Sequence, residues 1–193
     1  SDFNPPSPDP SGIEFIAHLA SGAGRLWISD GEVEETALLA GKNVFETTPG
    51  GTLVNSYSTT GFSNEPVGVA VNAANHHLFY SDDDTRRVFE IDPGGDDLYH
   101  TGDDTRTTFQ TIGFGGNDPE GIAFDPAGVT LFIAGGEDSE IWVVTPGPNG
   151  VFVGVDPAVD IVNHFDTFSQ GVVDPEAIAF NPDNGHLYVL GNA

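Results

Sequence analysis

The sequence contains no cysteine. Disulfide bonds, thiolate zinc sites and cysteine nucleophiles are therefore excluded. The fold has to rest on its hydrophobic core, and bound metal ions are the remaining means of holding loops together. No apolar run approaches the roughly 18 residues that a membrane-spanning helix needs, so we expect no membrane insertion.

Basic residues are also scarce. Lys and Arg together number 5, against 30 Asp and Glu, and the formal net charge is -25. Nucleic acids and anionic membranes need Lys and Arg to neutralise their phosphates, so neither is expected as a partner. Carboxylate oxygens suit hard ions, and we expect divalent cations as ligands, Ca²⁺ first. The same acidity would serve solubility or life at high salt, and both alternatives stay open.

Methionine is absent, and the chain begins at Ser1 without the basic and apolar regions of a signal peptide. We therefore expect a mature or excised form of the protein.

Glycine (25 residues) and proline (14 residues) are abundant, which favours short strands joined by turns over helices. Four segments share one pattern: an acid, Pro, any residue, a small residue and the start of an apolar run. They are Asp9–Phe15, Glu65–Val71, Asp118–Phe124 and Asp174–Phe180. The small position recurs about every 55 residues, a period typical of propellers and solenoids. Pro fits a strand start that needs no ladder N–H, and the small residue allows close backbone approach.

Each segment is followed by further runs of aromatic and β-branched residues, which predict strands. The second run of each unit starts at Leu26, Leu78, Leu131 and Leu187. Four strands per unit predict an all-β fold, a β-propeller with about three and a half four-stranded blades. We assign residues 1–9 to a Pro-rich arm or linker and residues 10–193 to the blades, in units 10–64, 65–117, 118–173 and a partial unit 174–193.

The last unit has only two strands, whereas propellers typically close with about four to eight blades. We consider three alternatives. In the first, the chain is a fragment of a longer propeller, and in the second, copies of it assemble to close or continue the ring. In a third alternative, residues 1–60 supply the missing outer strands of a compact four-bladed ring. An open half-blade leaves an unpaired strand edge, which favours the first alternative.

The run Asp118–Pro126, followed by Leu131–Glu137, resembles the six-bladed propellers of the SMP-30/gluconolactonase, NHL-type and SdiA-regulated or phytase-like groups. The acidic segment 28–35 resembles loops in propeller domains of large secreted, calcium-dependent bacterial proteins. The likeness covers nearly the whole chain at the level of the blade pattern. Together with the acidity and the missing cysteine, it implies a secreted protein, extracellular or at the cell surface.

In the SMP-30 group, a channel Glu near such a strand entrance binds a divalent metal. The resemblance implies that Glu120 and Glu176 are the matching channel residues here. Ser11 and Val67 occupy the same position in the first two units, so a full ring of channel ligands is absent.

Three acidic loops are further candidates for Ca²⁺, which needs about six to eight oxygen ligands. The candidate ligands are Asp96, Asp97, Asp103 and Asp104 in the first loop, Asp82, Asp83 and Asp84 in the second, and Asp30, Glu32 and Glu34 in the third. Each loop also suits a role without a metal, and these alternatives stay open. The first loop would suit a solvated hairpin, with His100 able to join it. Arg86 and Arg87 would neutralise the second, and Asp and Gly in the third favour turns.

The sequence has no G-x-S-x-G elbow, which excludes an α/β-hydrolase, and we identify no catalytic residue. The leading expectation is an extracellular calcium-binding propeller that serves binding, adhesion or assembly. One alternative is a metal-dependent hydrolase of the lactonase or phytase-like type, with Ca²⁺ or another divalent metal in the channel. A second is a subunit of a surface layer or filament, whose partners would be other propeller blades or copies of the chain.

Overall fold

A computed structural model of the protein describes residues 3–38, 40–152 and 160–192, and strands dominate it. The strands are β1 (Pro10–Ile16), β2 (Arg25–Asp30), β3 (Val44–Thr47), β4 (Leu53–Tyr57), β5 (Pro66–Val71), β6 (Leu78–Asp82), β7 (Arg87–Asp92), β8 (Thr105–Gln110), β9 (Pro119–Phe124), β10 (Leu131–Gly135), β11 (Glu140–Thr145), β12 (Ile161–Asp166), β13 (Asp174–Asn181) and β14 (His186–Asn192). Single-turn 3-10 helices lie at Ala20–Gly22, Val33–Glu35, Ile112–Phe114 and Phe168–Gln170. No helix in these ranges is long and apolar enough to cross a bilayer.

The strands form antiparallel meanders in chain order. β1 to β4, β5 to β8 and β9 to β12 are four-stranded sheets, and β13 pairs only with β14. These are three propeller blades and the inner half of a fourth, as the repeat predicts. The compact four-bladed alternative is wrong, because residues 10–57 build their own sheet and give no strand to the last one.

The innermost strands lie side by side. β1 contacts β5, β5 contacts β9, and β9 contacts β13. β1, β5 and β9 begin at a Pro and β13 begins one residue before Pro175, all at one end of the arc, which we call the entrance end; the four strands finish at the opposite, exit end. The small residue of the repeat sits where adjacent backbones are closest: a Cβ on Gly68 would lie 2.6 Å from the carbonyl oxygen of Glu120. The predicted reason for the small residue is confirmed.

The hydrophobic core lies between consecutive blades. Trp27 of the first blade is buried and donates a 2.7 Å hydrogen bond from Nε1 to the hydroxyl of Tyr80 in the second. Between the second and third blades, the rings of Phe79 and Phe124 meet edge to face at 4.8 Å. Each blade therefore covers the apolar face of the next one.

The two ends of the arc lack such cover. Ile13 on the first blade is 62% exposed and Leu190 on the last is 71% exposed, whereas Val69 and Ile122, which match Ile13 in the inner blades, are 3% and 4% exposed. The described residues thus form a partial propeller with two open faces.

The predicted Pro-rich arm packs on the first blade over the part that the structure describes. Ser7 is buried, and the Phe3 ring lies 5.6 Å from that of Phe45. Ser1 and Asp2 of the arm lie outside the described residues.

Candidate metal centre at the entrance end

Three carboxylates from two adjacent blades converge at the entrance end. Asp83 follows β6, Asp118 precedes β9 and Glu120 lies within β9. One oxygen from each lies within 4.8 Å of the others. We call this group the entrance cluster. It joins two predictions that looked separate in the sequence, the triple-aspartate loop and the channel glutamate.

The last half-blade adds carboxylates beside the cluster. Asn192 donates from Nδ2 to Asp174 at 3.1 Å and to Glu176 at 3.3 Å. Asp118 and Asp174 both lie close to Gly136. A Cβ on this glycine would lie 2.5 Å from Asp118 Oδ2 and 3.1 Å from Asp174 Oδ1. Asp118 Oδ2 also accepts a 3.0 Å hydrogen bond from the amide of Glu137.

Negative charges surround Glu120 and Glu176 at the entrance end. Burial, followed by the charges of Asp83, Asp118, Glu176 and Asp174, raises the pKa of Glu120 to about 8. Burial and neighbouring carboxylates also raise the pKa of Glu176. The charged groups that raise both pKa values most are carboxylates. A bound cation would relieve both the burial cost and the repulsion.

The other two residues of the triple-aspartate loop, Asp82 and Asp84, lie outside the cluster. Asp82 is buried and accepts hydrogen bonds from Ser63 Oγ and from the amide and hydroxyl of Thr85. Asp84 is exposed. Among the ion pairs of residues 3–38, 40–152 and 160–192, none links this loop to Arg86 or Arg87. Of the three aspartates, only Asp83 reaches the cluster.

The first-unit loop repeats the arrangement of Asp82 at Asp30. Ser7 Oγ donates to Asp30 Oδ2 at 2.6 Å, but Oδ1 is buried without a partner. Val33 stands at the position of Thr85, so Asp30 lacks the hydroxyl donor that Asp82 has. The nearby charge of Asp9 raises the pKa of Glu32. The side chain of Glu34 lies outside the described residues.

The loop at residues 96–104 lies at the exit end, and its carboxylates mostly bond within it. Asp103 accepts from Gly95 N and Thr101 Oγ1, and Asp104 accepts from Thr101. Asp96 accepts the amide of Leu98. Asp97 turns outward to His76.

His100 does not join this acidic loop. Its ring stacks on Tyr57 at 4.9 Å, and Nε2 lies 3.1 Å from the hydroxyl of Tyr80. Burial lowers the pKa of His100 to about 4, so the ring is neutral over most of the pH range.

Sequence reasoning missed one cluster, formed by His18, His76 and Asp97 at the exit end. The three residues come from separate turns, so no spacing marks them. A signal that could have found them is His76 itself, which stands where the fourth unit has Gly185.

No family model and no curated protein sequence matches the chain. Solved propeller structures do. A luciferin-regenerating enzyme matches with TM-score 0.61 and 16% identity over 91% of this chain and 52% of its own. A gluconolactonase from Xanthomonas campestris matches with TM-score 0.59 and 16% identity over 92% of this chain and 53% of its own. A putative oxidoreductase (glucose dehydrogenase) from Thermus thermophilus matches with TM-score 0.56 and 21% identity over 94% and 59%.

At such low sequence identities, the structural likeness establishes the propeller fold and nothing more. The chain spans about half the length of the first solved structures that it matches, at 49% and 52% of theirs.

Proposed function

We propose that this chain is a divalent-cation-binding propeller segment. Asp83, Asp118 and Glu120 are the ligands, with Asp174 and Glu176 beside them. The convergence of three carboxylates within 4.8 Å, together with the raised pKa of Glu120, carries this conclusion.

The donor set favours Ca²⁺ among the divalent ions. Every donor of the entrance cluster is a carboxylate oxygen, and hard cations prefer oxygen ligands. Zinc and copper prefer nitrogen or sulfur donors, which this cluster lacks. The ion would tie the second blade to the third, because Asp83 and Glu120 belong to different blades.

Placement outside the cell is part of the same proposal. The acidic composition and the absence of cysteine support it. Calcium sites in extracellular modules work at millimolar concentrations. There, a calcium-stabilised propeller would serve binding, adhesion or assembly.

Thermal unfolding with and without Ca²⁺ tests the proposal. A ligand at about 100 times its dissociation constant stabilises by about 2.7 kcal/mol, and about 1 kcal/mol corresponds to roughly 2–4 °C in a chain of this size. We expect the Tm to rise by about 5–10 °C in Ca²⁺ and to fall back in EGTA. Glu120→Gln should abolish most of the rise.

Glu137→Gln is the matched control, because Glu137 is exposed on the turn next to the cluster and should keep the full response. An equal response to Ca²⁺ in wild type and Glu120→Gln would remove the entrance cluster as the site.

A second candidate function is hydrolysis of a small ester or lactone. The residues after Glu120 and Glu176, Gly121 and Ala177, line a central hollow of about 440 Å³. A bound divalent ion would polarise a carbonyl or activate water there. Glu176, beside the cluster, would exchange the proton. The likeness to a gluconolactonase and a luciferin-regenerating enzyme supports this alternative.

Release of acid from gluconolactone in a pH-stat tests the hydrolase candidate. We expect Ca²⁺-dependent turnover that falls at least about 100-fold in Glu176→Gln, the range expected on losing an acid–base group. Turnover that ignores both EGTA and this substitution would rule out the site. The calcium proposal would survive that result, because it depends on the Tm response.

A further inference from the structure

We propose a second metal site, of the nitrogen-preferring Zn²⁺ class, formed by His18, His76 and Asp97 at the exit end. It is separate from the entrance cluster in place and in chemistry. One donor atom from each residue lies within 4.8 Å of the others.

Three turns of the first two blades bring these residues together. His18 follows β1, His76 lies between β5 and β6, and Asp97 follows β7. His76 Nδ1 lies 2.8 Å from Asp97 Oδ1, and His18 Nε2 lies 3.9 Å from the same oxygen. Two imidazoles and a carboxylate form a zinc donor set, leaving a fourth position for water or another ligand.

The backbone at the site adopts a conformation that costs free energy. His76 has φ +63° and Asp97 has φ +58°, in the left-handed region that glycine adopts most readily. The equivalent turn in the fourth unit has Gly185 at φ +70°, and both turns make the same bond to the carbonyl four residues back. Residues held in such sparsely populated conformations cluster at active sites and ligand-binding sites.

A buried tyrosine supports the cluster from behind. The hydroxyl of Tyr99 donates to the His76 carbonyl at 2.6 Å and lies 3.4 Å from His18 Nε2. The bond to the His76 carbonyl holds the turn that carries His76.

Metal binding requires one ring to turn. The two imidazole rings are stacked at 3.8 Å with planes 4° apart. A nitrogen lone pair lies in the plane of its ring, so parallel rings cannot both point at one ion. Asp97 fixes His76, whereas the nearest polar contact of His18 is 3.4 Å away. His18 is therefore the ring that rotates about its Cβ–Cγ bond.

Calorimetric titration of the metal-stripped chain with Zn²⁺, in excess Ca²⁺ to occupy carboxylate sites, tests this proposal. The chain has no cysteine to compete for zinc. We expect one zinc bound in the micromolar range or tighter, and a loss of at least about 10-fold in affinity in His18→Ala and in His76→Gly.

His164→Ala is the matched control. His164 also pairs with a carboxylate, with Nδ1 3.0 Å from Glu140 Oε2, but lies outside the cluster. It should bind zinc like wild type.

The His76→Gly variant separates binding from folding. Glycine suits the left-handed position, so the metal-free variant should melt at the wild-type temperature or above it while losing zinc. Wild-type affinity in His76→Gly, or a wild type that binds no zinc, would overturn the proposal. Because Ca²⁺ is present throughout, neither result depends on the entrance cluster.

Discussion

Glu120 lies in an unfavourable position for a negative charge. Its carboxyl is half-buried beside Asp83, Asp118, Glu176 and Asp174, and its pKa is raised to about 8. In the unfolded chain the pKa of a glutamate is about 4.3. Between these two values the folded state binds more protons than the unfolded state. The stabilising effect of that proton is complete below the lower pKa and disappears as the pH rises through the upper one.

We therefore predict that the cation-free protein loses stability between about pH 5 and pH 8 because of Glu120. Glu120→Gln should flatten this slope and raise the Tm at pH 8 by roughly 2–4 °C for each kcal/mol recovered. With Ca²⁺ the trend should reverse, because only the ionised carboxylate binds the ion. Calorimetric scans from pH 5 to 8 in EGTA and in Ca²⁺ measure both trends. Identical slopes in wild type and variant would contradict the pKa assignment.

At the scale of elements, the blades are held in line by close contact between innermost strands. Ser81 Oγ in β6 donates to the Glu120 carbonyl and accepts the amide of Gly68, tying the second blade to the third. Ser29 makes the corresponding bond to Val67 one blade earlier. The glycine of the repeat leaves the space that these bonds need.

Gly68→Ala is predicted to destabilise the protein by about 1–3 kcal/mol through overpacking. The added Cβ would lie 2.4 Å from Ser81 Oγ and 2.6 Å from the Glu120 carbonyl oxygen, so backbone must move. Urea unfolding measures the loss. Gly61→Ala is the control, since nothing lies within 4 Å of its Cβ position and stability should hold or rise slightly. Equal midpoints for the two variants would mean that the strands are not closely apposed.

At the scale of the whole molecule, the net charge of -25 opposes compaction. The repulsion is long-ranged at low ionic strength, where the Debye length is about 30 Å at 0.01 M, and is almost fully screened at 1 M. The arc shape gathers carboxylates at the entrance end, while the open faces of the first and last blades expose Ile13 and Leu190.

Raising monovalent salt from 0.01 to 1 M in EGTA is predicted to raise the Tm by on the order of 5 °C. Sodium and tetramethylammonium chloride should act alike, because screening depends on ionic strength and not on the identity of the ion. A Tm that responds to sodium alone would point to a specific ion site and contradict screening as the cause. Dynamic light scattering on the same samples separates folding from association through the open faces.

The sequence by itself determined the elements and their order. Pro at each strand start, small residues at the repeat position and aromatic runs such as Leu78–Tyr80 act through local backbone preferences, so they predicted the blades, including the half-blade after Asp174. The same local chemistry marked Glu120 and the triple aspartate as candidate ligands.

Only the tertiary structure decided which of those acids meet. Two neighbouring aspartates have different surroundings. Asp82 is buried and bonded to Ser63, whereas Asp83 faces Glu120 across the blade boundary. His18, His76 and Asp97 meet for the same reason, because side-by-side strands bring the turns at their exit ends together. The sequence pattern of a strand predicts which of its faces is buried. It does not predict which turn of the adjacent blade lies beside that strand, because this depends on how the blades stack.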